Sequence, residues 1–286
     1  GEASDDVLNN LMKIIFDPKV DAKRVVQDDG IDMIKSSANN FYENVSQKEA
    51  EEFYQNLSDP KDPEPVSWGL NSKLVNENGE IRELVWKAGG LYSAAIEKVV
   101  FWLEKAIGVA ASETQKAALE KLVKFYKTGD LKIFDDYSIL WLKDQETLVD
   151  VVNGFIEVYG DALGRKATFE SVVSIRDDAA TKRAATISNN AQWFEDHSPT
   201  HPEYKKENVQ GVSARGINVV VESGDCSPST PIGINLPNAD WIRAKHGSKS
   251  VTINNIMAAY DEASKESGAI EEFAWSKEEI ELSKKY

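Results

Sequence analysis

Apolar residues recur along this chain at two spacings, and each spacing predicts a different kind of element. Leu91, Ala95, Ile96, Val99, Val100, Leu103 and Ala106 fall three and four apart, which places them on one face of a helix. Val7, Leu8, Leu11, Ile14 and Ile15 repeat that spacing near the start, and residues 1–57 read as helices. Ser46-Gln47-Lys48-Glu49 is a capping box, in which the serine hydroxyl and the glutamate three positions on satisfy each other's unpaired backbone N–H. Ser112-Glu113-Thr114-Gln115 opens another helix, and Gly129 is its expected stop. A third helix of this region is expected over residues 147–152, delivering the chain to Glu157. Residues 177–194, 251–260 and 271–284 also read as helical.

Alternation marks the strands. Leu74-Val75 and residues 81–86 flank Asn78-Gly79, the pair that supplies the positive φ angles of a tight hairpin turn. Residues 168–175 carry Phe169, Val173 and Ile175 partly in phase, and residues 217–221 are rich in β-branched side chains. Pro60, Pro63 and Pro65 interrupt any helix between residues 59 and 65, and residues 197–208 read as a charged loop. No repeat or low-complexity tract appears. The pattern is that of an α+β protein with helices in the majority.

Composition narrows the function classes. With 33 Lys and Arg against 48 Asp and Glu, the net charge is −15, which repels nucleic acid and anionic membranes and favours cationic ligands. No apolar run reaches the length of a bilayer span, and residues 1–6 lack the basic and apolar stretches of a signal peptide. The one cysteine, Cys226, excludes an intrachain disulfide and a multi-cysteine metal site, and fits a reducing, cytoplasmic compartment; a periplasmic location would require a signal peptide already removed.

Four segments invite a chemical reading. Glu157 and Tyr159 stand two apart, so on an extended backbone they share a side. Such a pair suits either a peptide site, with the carboxylate on an ammonium group and the phenol on an oxyanion, or a plain surface Glu beside a half-buried Tyr. Gly233-Ile234-Asn235-Leu236-Pro237-Asn238 follows the proline-flanked residues 226–231; it suits gripping a main chain, or a turn into the next helix. His197 and His201 have the spacing of a helical zinc pair, but Pro199 and Pro202 oppose the helix and no Glu lies between them. Gly89-Gly90 precedes a Glu-bearing helix without the Arg-Glu and paired acids of a nucleotide hydrolase.

Several segments, in order, resemble the dipeptidyl peptidase III family of zinc exopeptidases. They are residues 69–75, 96–106, 137–142, 154–164 with Phe169-Glu170, 233–238 and 250–256; residues 1–60 match only loosely. The resemblance implies a two-lobed enzyme that removes dipeptides from the N-termini of short peptides. Its lower lobe would be a small antiparallel, barrel-like sheet wrapped by helices, here residues 1–177 and 219–264. Residues 178–218 and 265–286 would be parts of a helical upper lobe. By motif position, Glu157, Asn235 and Asn238 would hold the substrate amine and first peptide units. Tyr159 would stabilise the transition state, Glu170 would line the same subsite, and Ile232 and Gly233 would offer main-chain groups to an added strand. Gly160 and Ala162 depart from eukaryotic members, where Arg and Pro are common.

The family's His-Glu-x-x-Gly-His zinc helix does not occur: His197, His201 and His246 are the only histidines, and none is followed by Glu. The resemblance therefore implies a fragment ending before that helix, with zinc belonging to the full-length enzyme, no metal held by this chain, and no activity of its own. The alternative is a standalone non-catalytic peptide-binding or scaffold protein. A fragment of this kind is also expected to self-associate through exposed apolar surface.

Overall fold

The computed structural model describes residues 4–209, 212–227 and 229–285. Residues 1–3, at the start read above, and Pro228, within the proline-flanked segment, lie outside the described residues, as do residues 210–211 and 286. The chain forms two compact units. Residues 1–144, 153–170 and 239–242 make the first, and residues 145–152, 171–238 and 243–286 the second. The lobe boundaries implied by the resemblance are drawn differently and concern a longer protein.

In the first unit the chain runs α1 (Asp5–Phe16), α2 (Met33–Ser36), β1 (Tyr42–Glu43), α3 (Gln47–Leu57), β2 (Ser72–Glu77) and β3 (Glu80–Val85). It continues through α4 (Ser93–Ile107), α5 (Glu113–Thr128) and α6 (Leu131–Lys143) to β4 (Val149–Glu157) and the start of β5 (Thr168–Asp177). Helices begin where polar caps dictate. Ser46 Oγ accepts from Glu49 N at 3.3 Å while Glu49 Oε2 accepts from Ser46 N at 2.8 Å, closing the box ahead of α3. Ser112 Oγ accepts from Gln115 N at 3.0 Å, and Gly129 ends α5 with φ 74°. The hairpin forms as its turn demands, with Asn78 at φ 56° and Gly79 at φ 91°, so that Asn76 pairs with Ile81. Helix α4 buries Ile96, Val100 and Leu103 of its predicted stripe. Helix α1 forms as spaced but buries none of its apolar residues.

The second unit holds the rest: α7 (Asp178–Ser188), α8 (Ala191–His197), β6 (Val212–Gly224), β7 (Gly233–Leu236), the end of α9 (Asp240–His246), β8 (Ser248–Ile253), α10 (Asn254–Ser267), α11 (Ala269–Phe273) and α12 (Lys277–Lys285). Its sheet has the order β4-β5-β6-β8-β7, with β7 at one edge. Ile217, Val251 and Ile253 form a core that Val219, Ile234 and Ile256 cover.

The α+β class holds, and the sheets are mixed and open where an antiparallel, barrel-like sheet is expected. Antiparallel pairing joins β2 to β3 and β7 to β8, but β1 runs parallel to β2 and β6 parallel to β8. Four local expectations are corrected. The start of the chain is not helical throughout: residues 17–32 hold no helix and Tyr42–Glu43 is strand, paired with β2. Residues 149–152 are strand, because Val149, Val151 and Val152 favour extended backbone; the helix of this region lies earlier, as α6, opened by Asp130. Residues 251–253 are likewise strand, alternating buried and exposed from Lys249 to Ile253, and helix α10 starts only at Asn254. The polar run 177–194 divides into α7 and α8 at Asn189-Asn190, two weak helix formers.

One buried charge ties the first unit together. Lys166 is fully buried, and its Nζ donates to the Tyr54 hydroxyl and to Ser72 Oγ, the latter at 2.9 Å. Tyr54 and Ser72 both donate to Glu83 Oε1, which lies 3.7 Å from Lys166 Nζ. Burial pulls the Lys166 pKa down to about 8, against the pull of Glu83 and Asp161 toward the charged form. Lys166→Met, which strands Glu83, is expected to cost about 3 kcal/mol in a denaturant titration at pH 7. Because the folded pKa lies below the unfolded one, Lys166 adds stability as pH rises from about 8 toward 10.5. Wild type should therefore gain on the Met variant across that window. A difference that stays flat with pH would show that Lys166 titrates as an ordinary lysine.

Candidate functional site

Strand β4 ends at Glu157, and the chain turns at once around Asp161. The Asp161 carboxylate accepts from Leu163 N at 3.2 Å and from Arg165 N and Lys166 N at 2.9 Å each, so the aspartate serves the amides downstream of it. The Tyr42 hydroxyl, donating to Asp161 Oδ2 at 2.9 Å, anchors the turn to β1. Burial and the Asp161 charge raise the Tyr42 pKa, so this phenol stays a donor. Gly160 lies against Arg24: a Cβ there would stand 2.6 Å from a guanidinium nitrogen.

Glu157, Tyr159 and Glu170 are brought together in the first unit. Tyr159 is 77% exposed. Its hydrogen bond to Glu157, then the Glu157 charge, raise its pKa above the ordinary phenol value, with smaller contributions from burial and Glu170. The phenol is therefore protonated throughout neutral pH and able to donate, beside two carboxylates that favour a cation. Thr168 Oγ1 donates to the Glu157 main-chain oxygen at 3.2 Å, fixing the end of β4 to the start of β5. Gly154, earlier in β4, passes close to α6: a Cβ there would stand 2.8 Å from the Phe134 ring.

Ile232, Gly233, Asn235 and Asn238 belong to the second unit. Ile232 O accepts from Ile253 N at 3.0 Å, Gly233 pairs with Thr252 and Asn235 with Ser250. A Cβ on Gly233 would stand 2.9 Å from Val251 O, so this close approach of two strands requires glycine. Asn235 and Asn238 are exposed, and Ser250 Oγ donates to Asn235 Oδ1 at 3.4 Å. The segment is thus a strand and a cis Leu236–Pro237 bond ahead of α9, rather than a simple turn.

His197 and His201 each make local contacts. Helix α8 ends at His197, which stacks on Trp193 with ring centroids 4.3 Å apart and has Nδ1 2.8 Å from Trp193 O. His201 lies past the helix, its Nδ1 3.6 Å from Glu203. Among the described residues no three His, Cys, Asp or Glu side chains cluster as metal ligands. Cys226 is buried, its thiol donating to the carbonyls of Ser223 and Ser171. No helix among the described residues is long and apolar enough to cross a membrane.

Sequence reasoning missed Asp161 and Lys166. The run Asp161-Ala162-Leu163-Gly164 carries a turn signature that could have flagged the first, with Gly164 at φ 63°. Nothing local marks Lys166, whose partners lie on other elements.

The profile of peptidase family M49 matches residues 33–285, and the chain belongs to that family. Dipeptidyl peptidase 3 of Nematostella vectensis is 32% identical over 171 residues, 60% of this chain and 23% of that protein. The human dipeptidyl peptidase 3 is 28% identical over 169 residues, and Nudix hydrolase 3 of Arabidopsis thaliana 28% over 188, covering 59% and 65% of this chain and 22% and 24% of those proteins. This chain thus spans about a quarter of the length of the curated relatives it matches. The structure of dipeptidyl peptidase III from Caldithrix abyssi shares the fold, with TM-score 0.64 and 22% identity over 79% of this chain and 42% of that one. That from Corallococcus sp. strain EGB gives 0.63 and 23% over 79% and 41%.

The Tyr159 assignment has a direct check. Glu157→Gln removes the charge and the strongest acceptor, so the Tyr159 pKa should fall toward the ordinary phenol value in an NMR titration of ring-labelled protein. An unchanged midpoint would mean that the two side chains do not interact.

Proposed function

We propose that this chain carries peptide-binding residues of a zinc-dependent dipeptidyl peptidase and does not hydrolyse peptides alone. The observation that carries this reading is the Glu157–Tyr159–Glu170 group on the exposed end of β4 and β5, in a member of peptidase family M49. In this reading Glu157 pairs with the α-ammonium of a short peptide, and the protonated Tyr159 donates to the oxyanion as the scissile carbonyl becomes tetrahedral. Glu170 lines the same subsite. Asn235 and Asn238 hold the first peptide units, and Ile232 and Gly233 offer main-chain groups. Their place at the edge of the sheet supports this, because an edge strand can pair with one more extended segment. Zinc and the general base would come from sequence outside these 286 residues. The rival, a peptide-binding scaffold, shares the binding step and differs in never meeting a metal site.

Calorimetric titration of this chain with a short peptide bearing a free N-terminus should show binding that weakens at least about tenfold in Glu157→Ala and on N-acetylation of the peptide, as expected for a lost charge-assisted contact. Added zinc should produce no release from a dipeptidyl-arylamide. Equal binding by the Ala variant would remove Glu157 from the site, and metal-dependent turnover would overturn the proposed inactivity. Self-association is part of the same proposal, supported by the exposed Val7, Leu8, Leu11, Ile14 and Ile15 stripe of α1. Sedimentation at low concentration should then give more than one copy per particle, and a monomer would reject it.

A further inference from the structure

The first unit contains a cavity of about 350 Å³ between α4, the end of β3 and strands β4 and β5. Its walls are aromatic. Trp86 stands 4.9 Å from Phe155 and 6.2 Å from both Phe41 and Tyr92, centroid to centroid, and Phe155 lies 5.9 Å from Phe169. Ala95, Ile96 and Val99 of α4 line it as well, Asn40, Tyr126 and Thr168 add a few polar atoms, and none of the lining residues is charged. Protein interiors otherwise pack densely, and a space many times the roughly 30 Å³ share of one water cannot be hydrated well by walls with so few polar atoms. It suits an organic occupant instead.

Two further features mark this place. The Trp86 indole Nε1–H is buried and has no hydrogen-bond partner, a rare state for a buried donor. Tyr92, at the start of α4, is held in the left-handed region at φ 62° and ψ 22°, a costly conformation for a bulky residue. Such strained backbone concentrates where ligands are clamped. Nothing in the proposed peptide chemistry uses Trp86, Tyr92 or the α4 face.

We infer that this cavity is a binding site for a free, uncharged aromatic small molecule. Flat rings match aromatic walls at edge and face, while a charged ligand would be stripped of water with no counter-charge to meet it. The inference stands on the first unit alone and does not rest on the peptidase reading.

The test is an NMR titration of the 286-residue chain, following the Trp86 indole N–H resonance, assigned by its loss in Trp86→Phe. The probes are 1-naphthol and, as the charged analogue of similar size, 1-naphthoate. Naphthol should shift the Trp86 resonance saturably and bind at least about tenfold more tightly than naphthoate, the unpaired charge being costly to bury. Ala95→Phe, on an exposed helical position at the rim, should abolish the shift while the spectrum stays dispersed; were that variant unfolded, Val99→Phe one turn on serves the same purpose. A Trp86 resonance indifferent to millimolar naphthol, equal affinity for the two probes, or a shift that survives the blocked rim would each overturn the assignment.

Discussion

The first unit depends on the burial of a single ammonium group. Placing Lys166 out of water costs several kcal/mol unless donors and charge are met inside. Here Tyr54 comes from α3, Ser72 from β2 and Glu83 from β3, so the lysine can be satisfied only when those three elements are assembled. Its own backbone N–H is meanwhile held by Asp161, which also receives Tyr42 from β1. The segment just after Tyr159 is therefore tied at Asp161 to β1 and at Lys166 to α3 and the hairpin. A loop of similar length held only by apolar contacts would leave the phenol free to wander.

The second unit uses the same device with different parts. Lys249 of β8 is fully buried and lies 3.2 Å from Asp150 of β4, so the strand that pairs with β7 carries its own buried ion pair. A pair of this kind is weak evidence for stability, because an apolar replacement could do as well. Its better-attested value is register. A one-residue slip of β8 would bring Lys249 to the opposite face of the sheet and leave Asp150 without it. Register of β8 fixes that of β7, and so decides that Asn235 faces Ser250 and that glycine stands where Val251 O comes closest.

Elements specified by neighbouring residues were legible in the sequence. The Ser46 and Ser112 caps, the Asn78-Gly79 turn and the α4 stripe each depend on contacts within one or two turns. Residues 149–152 and 251–253 misled because their short apolar runs suit either a helix or a buried strand, and sheet pairing decided for the strand. The site was legible in a different way. Spacing alone left Glu157 and Tyr159 as an ordinary surface pair, and only the ordered family segments singled them out. Asp161, Lys166 and Trp86 stayed hidden because their roles exist only across distant segments: Lys166 meets Tyr54 across 112 positions of chain.

The geometry around Glu157 bears on how one carboxylate can serve two partners. In the free chain it accepts the Tyr159 phenol, and both the hydrogen bond and the charge hold that phenol's pKa up. A strongly held proton is a poor one to share with a developing oxyanion. Within the proposed function, an arriving ammonium would neutralise the Glu157 charge and compete for its lone pairs, so the same event that docks the peptide would loosen the phenol and make it a better donor. Glu170, which contributes least to raising Tyr159, would keep the neighbourhood negative without competing for the phenol's proton. Ordering by binding in this way needs no movement of the backbone, which the Asp161 turn would in any case resist.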